Sequence, residues 1–372
     1  MDLGRRLSLK VRRHSLLGLV FTLGIWIWIE ASPAVDSLAR AAEFDTQAVA
    51  NFYKGKTIRI VVGQAPGGAL DTNARLLQKM LSKYIPGNPN IVVENKPGGG
   101  SMLAANTVYN TEGKDGTVIA AFNPDLVLSQ AIGAPGVRFD AAKYQWISSA
   151  VETSSMCAAR TDSGVTRIED IIGERGKELV VSSFGKGGPS HIPPAVFNVT
   201  LGTRFKVVTG YEGGAPQRLA VKNKEVQGFC TTFQTIPSLA ADMFEGPGAC
   251  CKILIVSGSE VEDHPFLKGV PTAEKLVEKL GKGKDELAML RAIQAVNRIT
   301  RPMVVAPEVP KDRVQALRRA YDKAFADPEL RTAAEKMKMD LSPKTGEEVS
   351  RIVQELLETP QSVLARLKEI IQ

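Results

Sequence analysis

Thr57-Ile-Arg-Ile-Val-Val-Gly-Gln64 is an apolar, strand-like run that ends in Ala65-Pro66-Gly67-Gly68 and turns into a helix pattern opening near Asp71. The same succession occurs three more times. Ile91-Val-Val-Glu94 leads into Asn95-Lys96-Pro97-Gly98-Gly99-Gly100-Ser101, and Leu179-Val-Val-Ser182 into Ser183-Phe184-Gly185-Lys186-Gly187-Gly188-Pro189-Ser190. Phe205-Lys-Val-Val-Thr209 leads into Gly210-Tyr211-Glu212-Gly213-Gly214-Ala215. A strand that feeds a helix through glycines leaves free backbone N–H groups at the helix N-terminus, and such groups bind anions. Two of these loops fall in the N-terminal third and two in the middle. The pattern predicts two lobes, each offering a cradle to one ligand.

The 372 residues suggest about two domains. Composition is that of a globular chain, 44% hydrophobic and 23% charged, with no repeat of solenoid period. Arg5, Arg6, Lys10, Arg12 and Arg13 precede an uncharged apolar run of 14 residues, Leu16 to Ile29. That length suits a signal-peptide core better than a membrane span. Ala39-Arg40-Ala41 fits an A-x-A cleavage pattern, so residues 1–41 read as an export signal and the mature protein as periplasmic. An uncleaved anchor held by Trp26 and Trp28 is the alternative. Six Lys/Arg and three Asp/Glu lie in residues 1–41, so their removal takes the net charge from +7 to +4. This mild surplus, with no basic run or aromatic–basic alternation, argues against a nucleic-acid partner and suits a small organic anion.

Between the Val- and Ile-rich runs 57–64, 91–94 and 117–122 lie helix patterns at Asp71–Tyr84 and Ser101–Tyr109, with Ser101 as the N-cap of the second. This βαβαβ order predicts a parallel sheet with helices on both faces. Residues 42–56 read as a linker. Tyr144 to Val151 reads as a strand leaving the first lobe. The middle region repeats the logic, with strands at 178–183, 205–209, 226–230 and 252–257. Helices are expected near 190–201, 214–223, 233–244, 272–280 and 285–297. After a strand at Thr300–Ala306 the chain reads as almost wholly helical and is expected to pack back on the first lobe. The expected fold class is α/β with two lobes: 42–151 with 301–372, and 152–300.

At these residues the chain resembles the substrate-binding proteins of tripartite tricarboxylate transporters, the Bug family of periplasmic solute receptors. Tyr53-Lys-Gly-Lys-Thr-Ile-Arg-Ile-Val-Val62 looks like the family's opening strand, and Ala65-Pro-Gly-Gly-Ala-Leu-Asp71 and Glu94-Asn-Lys-Pro-Gly-Gly-Gly100 look like its first two ligand loops. Lys114-Asp-Gly-Thr117, Tyr211-Glu-Gly-Gly-Ala-Pro216, Val270-Pro-Thr-Ala-Glu274 and Ala306-Pro-Glu-Val-Pro310 follow in family-like order. The resemblance implies a type II periplasmic-binding-protein fold with a ligand cleft between two α/β lobes. It implies a small carboxylate held largely by backbone groups, and membrane permease subunits as partners. A receptor presenting its ligand to a sensor kinase uses the same clam-shell and stays open as an alternative.

The candidate ligand-binding residues are Pro66, Gly67, Gly68, Asp71, Gly98, Gly99, Gly100, Ser101, Asn123, Ser183, Gly185, Gly188, Ser190, His191, Tyr211, Gly213 and Gly214. In open parallel sheets ligands bind outside the carboxyl ends of the strands, where these residues fall. Asp71 is out of place beside an anion and reads first as the N-cap of its helix. Asn123 is either a ligand contact or a turn residue. Tyr211 either donates its hydroxyl or packs. Lys96 reads as a solvated charge. Loop 95–101 is neither G-x-x-x-x-G-K-[ST] nor G-x-G-x-x-G, which argues against nucleotide sites. Only His191 and His264 follow the signal segment, without G-x-S-x-G, H-E-x-x-H or a metal-spaced cysteine pattern, so no catalytic group, metal or cofactor is expected. Of the four cysteines, Cys157 and Cys230 each sit in strand-like sequence and are expected to lie close enough to bridge, while buried free thiols are the equal alternative.

Overall fold

The computed structural model describes residues 46–183, 188–211, 214–258 and 264–371. The export-signal reading of residues 1–41 lies outside them. Two sheets organise the rest. The first joins β1 (Thr57–Val62), β2 (Asn90–Asn95), β3 (Val118–Ala121), β4 (Gln145–Val151), β10 (Thr300–Val305) and β11 (Lys344–Thr345) in the order β11-β4-β10-β3-β1-β2. The second joins β5 (Ser155–Arg160), β6 (Leu179–Ser183), β7 (Phe205–Thr209), β8 (Gly228–Thr232) and β9 (Cys251–Ser257) in the order β7-β6-β8-β5-β9.

β1 is parallel to both β2 and β3, as the βαβαβ reading requires. Its side chains alternate between two cores. Val61 faces one with Ala104, Ala105 and Val108 of helix Met102–Asn110, and Ile58, Ile60 and Val62 face the other with Leu70, Ala74 and Leu77 of helix Ala69–Leu81. Helices therefore cover both faces, and the strands carry little polar sequence because neither face meets water.

Two local readings are corrected. Residues 46–53 form a helix rather than a linker, burying Val49 and Tyr53. The helix expected at 233–244 is broken into short turns at 233–235, 236–239 and 241–243, with Pro237 inside the middle one. The strand-like sequence around Cys157, given no bounds above, is β5, which runs antiparallel between β8 and β9 in the second sheet. It places Cys157 opposite Cys230, and the two form a disulfide across Cα atoms 4.1 Å apart. Cys250 and Cys251 remain thiols, their sulfurs 3.5 Å apart.

The chain passes between the sheets at Glu152–Ser154 and again ahead of Thr300. These passages are tied together. Thr153 N donates to Asn297 O at 2.9 Å, Asn297 Nδ2 donates to Ser155 Oγ at 3.0 Å, and the Thr153 and Thr300 hydroxyls lie 3.1 Å apart. Glu152 and Lys344 form a buried ion pair beside them. The C-terminal helices divide their contacts. Lys311–Ala326 packs on β4 and helix Ala69–Leu81, whereas Gln361–Ile371 packs on helices Lys284–Arg298 and Ile192–Leu201. The last helix thus lies against elements that flank the second sheet.

Candidate functional site

The carboxyl edge of the first sheet is built from a few side-chain clips. β1 runs into Gly63, whose carbonyl accepts from buried Ser101 Oγ at 3.0 Å. A Cβ on Gly63 would lie 2.5 Å from that of Ser101, so glycine lets loop 98–101 rest on the strand end. Gln64 Nε2 donates to Asn123 Oδ1 at 3.1 Å, Gln64 Oε1 accepts from Leu70 N at 3.1 Å, and Asn123 Nδ2 donates to Gly100 O at 3.2 Å. One pair of amides thereby joins the loops after β1, β2 and β3. Asn123 is a loop clip, and Gln64, not among the expected residues, is its partner. Its position at the very end of an apolar strand was the available signal.

Asp71 is not the N-cap of its helix. The helix starts at Ala69, the N-cap position belongs to Gly68, and Asp71 reaches back from the third helical position. Its carboxylate accepts from Gly67 N at 2.8 Å, Arg75 Nε at 3.0 Å and Asn95 Nδ2 at 2.8 Å. Burial pushes its pKa up, but the hydrogen bonds from Arg75, Gly67 and Asn95 outweigh it and hold the carboxyl at about 2. The charge is therefore spent inside the loop. Gly67 N is occupied by Asp71 and Gly68 N by Ala65 O, at 3.2 Å, while Pro66 and Gly67 are exposed on the turn. This turn shapes the edge more than it offers donors.

Gly98, Gly99 and Gly100 are exposed and have φ of 150°, 54° and 63°. Such a run in the left-handed half of the map is open to glycine at little cost. Ser101 continues it at φ 86° and occupies the N-cap position of helix Met102–Asn110, yet makes no side-chain cap because its hydroxyl goes to Gly63. Lys96 is not a free solvated charge. It pairs with Glu112 at 3.3 Å, and Glu112 also takes Arg59.

On the second sheet, β6 ends at Ser183. The buried Ser183 and Ser190 hydroxyls lie 3.1 Å apart, closing the neck of the loop between them. Gly188 O accepts from His191 N and Ile192 N at 2.9 and 3.0 Å, and His191 takes the N-cap position of helix Ile192–Leu201. Tyr211 N donates to Ser183 O at 3.3 Å, while its half-buried side chain packs against the core of the second sheet. Gly214 begins helix Gly214–Lys222. Gly185 and Gly213 lie outside the described residues.

The two edges meet. A cavity of about 30 Å³ is lined by Asp125 and Leu128, which follow β3, by Pro189 and Ile192, which follow β6, and by Ser155 and Asn297 of the passages between sheets. A larger surface cavity, about 630 Å³, lies between helices Lys284–Arg298 and Gly346–Leu357 and touches none of the candidate loops. Its Arg298 and Glu355 are already paired at 3.3 Å.

These features coincide with what known proteins show. A TctC solute-binding protein from Polaromonas superposes with a TM-score of 0.64 over 86% of this chain and 99% of its own, at 19% identity. The periplasmic binding protein BugD superposes with a TM-score of 0.57 over 86% of this chain and 98% of its own, also at 19% identity. The chain therefore has the two-lobe α/β fold of periplasmic binding proteins. Residues 73–249 match the family model described as the tripartite tricarboxylate transporter family receptor. The family resemblance read from the loops is borne out by this match, which spans just under half of the chain. A UPF0065 protein of Bordetella pertussis is 26% identical over 207 residues, which span 55% of this chain and 63% of that protein. Two further structures with this fold carry ligands: MatC of Rhodopseudomonas palustris with bound malate (18% identity, 85% of this chain and 99% of that one, TM-score 0.52) and an R. palustris protein with adipate (18%, 84% and 97%, 0.55).

Proposed function

We propose that this protein is a periplasmic solute-binding receptor that captures a small carboxylate and delivers it to the membrane permease subunits of a tripartite tricarboxylate-type transporter. The observation that carries the reading is the exposed Gly98–Gly100 run. It is fixed at the carboxyl edge of a parallel sheet by Asn123, where that edge meets the loop after β6. Backbone N–H groups there suit an anion without bringing a mobile charge. The matched family and the malate and adipate held by structural neighbours agree with a carboxylate. On this reading residues 1–41 direct export, 42–151 with 301–372 form one lobe, its last helix Gln361–Ile371 reaching onto the other, and 152–300 form that other lobe. Gly98–Ser101 and Asn123 are read as one wall of the cleft, and Ser183, Gly188–His191, Tyr211 and Gly214 as the other. The working step is closure of the lobes, with no covalent chemistry.

A ligand that binds only the native state raises its stability by about 2.7 kcal/mol at a hundredfold excess over the dissociation constant. Titration of the mature protein with di-, tri- and aromatic carboxylates is expected to raise the melting temperature for at least one of them. A flat response across that panel would contradict the carboxylate reading.

A further inference from the structure

Arg301, at the start of β10, has a left-handed backbone with φ of 67°. Its Nε and Nη1 are buried and have no hydrogen-bond partner among the described residues. Burial lowers the pKa of the guanidinium, and no carboxylate among the described residues acts to raise it again. The residue is half-buried, and withdrawing two guanidinium nitrogens from water without partners carries a desolvation cost. Left-handed backbone at a non-glycine residue adds to that cost. Both need an explanation in what the residue does.

Its position supplies one. β10 runs antiparallel to β3 with Val304 opposite Ala120. Three residues back along β10 is Arg301, and three residues on from Ala120 is Asn123, the amide that clips Gly100. On the other flank Thr300 pairs with Val151 and Pro302 with Ser149, so Arg301 stands where the chain leaves the first sheet for the second. Two more side-chain atoms near strand ends are buried without a partner among the described residues. Ser154 Oγ belongs to the passage between sheets, and Ser182 Oγ lies one residue before the end of β6.

We propose that Arg301 is the fixed counter-charge of the ligand cleft, its guanidinium pairing with a carboxylate of the bound anion while the glycine loop supplies uncharged N–H donors. The inference rests on the carboxylate-receptor reading above and deepens it. The charge sits on the strand nearest the passage between lobes, so closure brings the second lobe to it without moving it. The absence of a partner among the described residues is then the condition for binding, since an internal carboxylate would compete with the ligand.

The test uses the mature protein, its Arg301→Met and Arg301→Lys variants, and isothermal titration with malate, citrate, adipate and benzoate. Arg301→Met is expected to bind the best of these about tenfold or more weakly, because a charge-assisted hydrogen bond is lost. Its ligand-free melting temperature is expected to hold or rise, because the desolvation cost of the unpartnered guanidinium nitrogens has gone. Arg301→Lys is expected to recover part of the affinity. Equal binding by wild type and Arg301→Met would overturn the inference and leave the receptor reading standing. Weaker binding together with a lowered ligand-free melting temperature in both variants would assign Arg301 a structural role and overturn it as well. Wild-type protein that binds none of the four probes would defeat the receptor reading, and the inference with it.

Discussion

Gly68→Val is expected to abolish the rise in melting temperature that a bound carboxylate gives, while leaving the ligand-free protein folded. The backbone at Gly68 is extended, φ −71° and ψ 167°, so valine is sterically allowed there. A Cβ would lie 2.6 Å from Gln64 Oε1, the far end of a flexible side chain. Gln64 moves and the fold survives, but two bonds go with it: Leu70 N to Gln64, and Gln64 to Asn123. Asn123 is what holds Gly100, so the loop after β2 loses its anchor to the loop after β1. Gly99→Val attacks the same loop from the other side. Its φ is 54°, and a Cβ there meets Met102 Cβ at 3.2 Å. A β-branched residue resists that backbone, so loop 98–101 must change course. Thermal titration of both variants beside wild type checks the effect. Ligand shifts equal to those of wild type in both would remove the glycine loop from the mechanism.

Removing the disulfide is expected to cost about 2–4 kcal/mol of unfolding free energy, because the link closes a long loop in the denatured chain. Cys157 and Cys230 are 73 residues apart in sequence and fully buried in the second sheet, on strands β5 and β8. The bridge therefore staples the centre of that sheet and does not touch the first. Urea unfolding of the Cys157→Ala, Cys230→Ala double variant should show a clearly lower midpoint. Ligand affinity is expected to change little, since neither sulfur reaches the loops. An unchanged midpoint would mean that the bridge does not form in the folded protein.

The parallel half of the first sheet was legible because β1 and β3 are buried on both faces, and Val/Ile runs such as Ile58–Val62 have no other comfortable place. β5 was legible only as strand-like sequence around Cys157, without bounds, for the converse reason. Ser155-Met-Cys-Ala-Ala-Arg160 has no β-branched residue, and its strand state is imposed by β8 and β9 on either side. Helix Ala69–Leu81 begins two residues before the expected start because Asp71 bonds backward to Gly67 instead of capping forward. The candidate site was legible as glycine strings, which record where the backbone must bend. Its side-chain logic was not. Gln64, Gly63 and Arg301 acquire their roles only when loops distant in sequence meet. Ser101, Ser183 and Ser190 read as donors from composition, yet their hydroxyls brace the loops from inside.

The most direct measurement is an amide spectrum of the mature protein labelled with ¹⁵N-glycine, recorded while the carboxylate that raises the melting temperature is added. The expected result is that the Gly98, Gly99 and Gly100 resonances move together, saturating at the stoichiometry and affinity given by calorimetry. Glycines remote from the edge, such as Gly133 and Gly281, should stay in place. Saturable binding that leaves Gly98–Gly100 unmoved would contradict the account, because the ligand would then be held somewhere other than the glycine loop at the sheet's carboxyl edge.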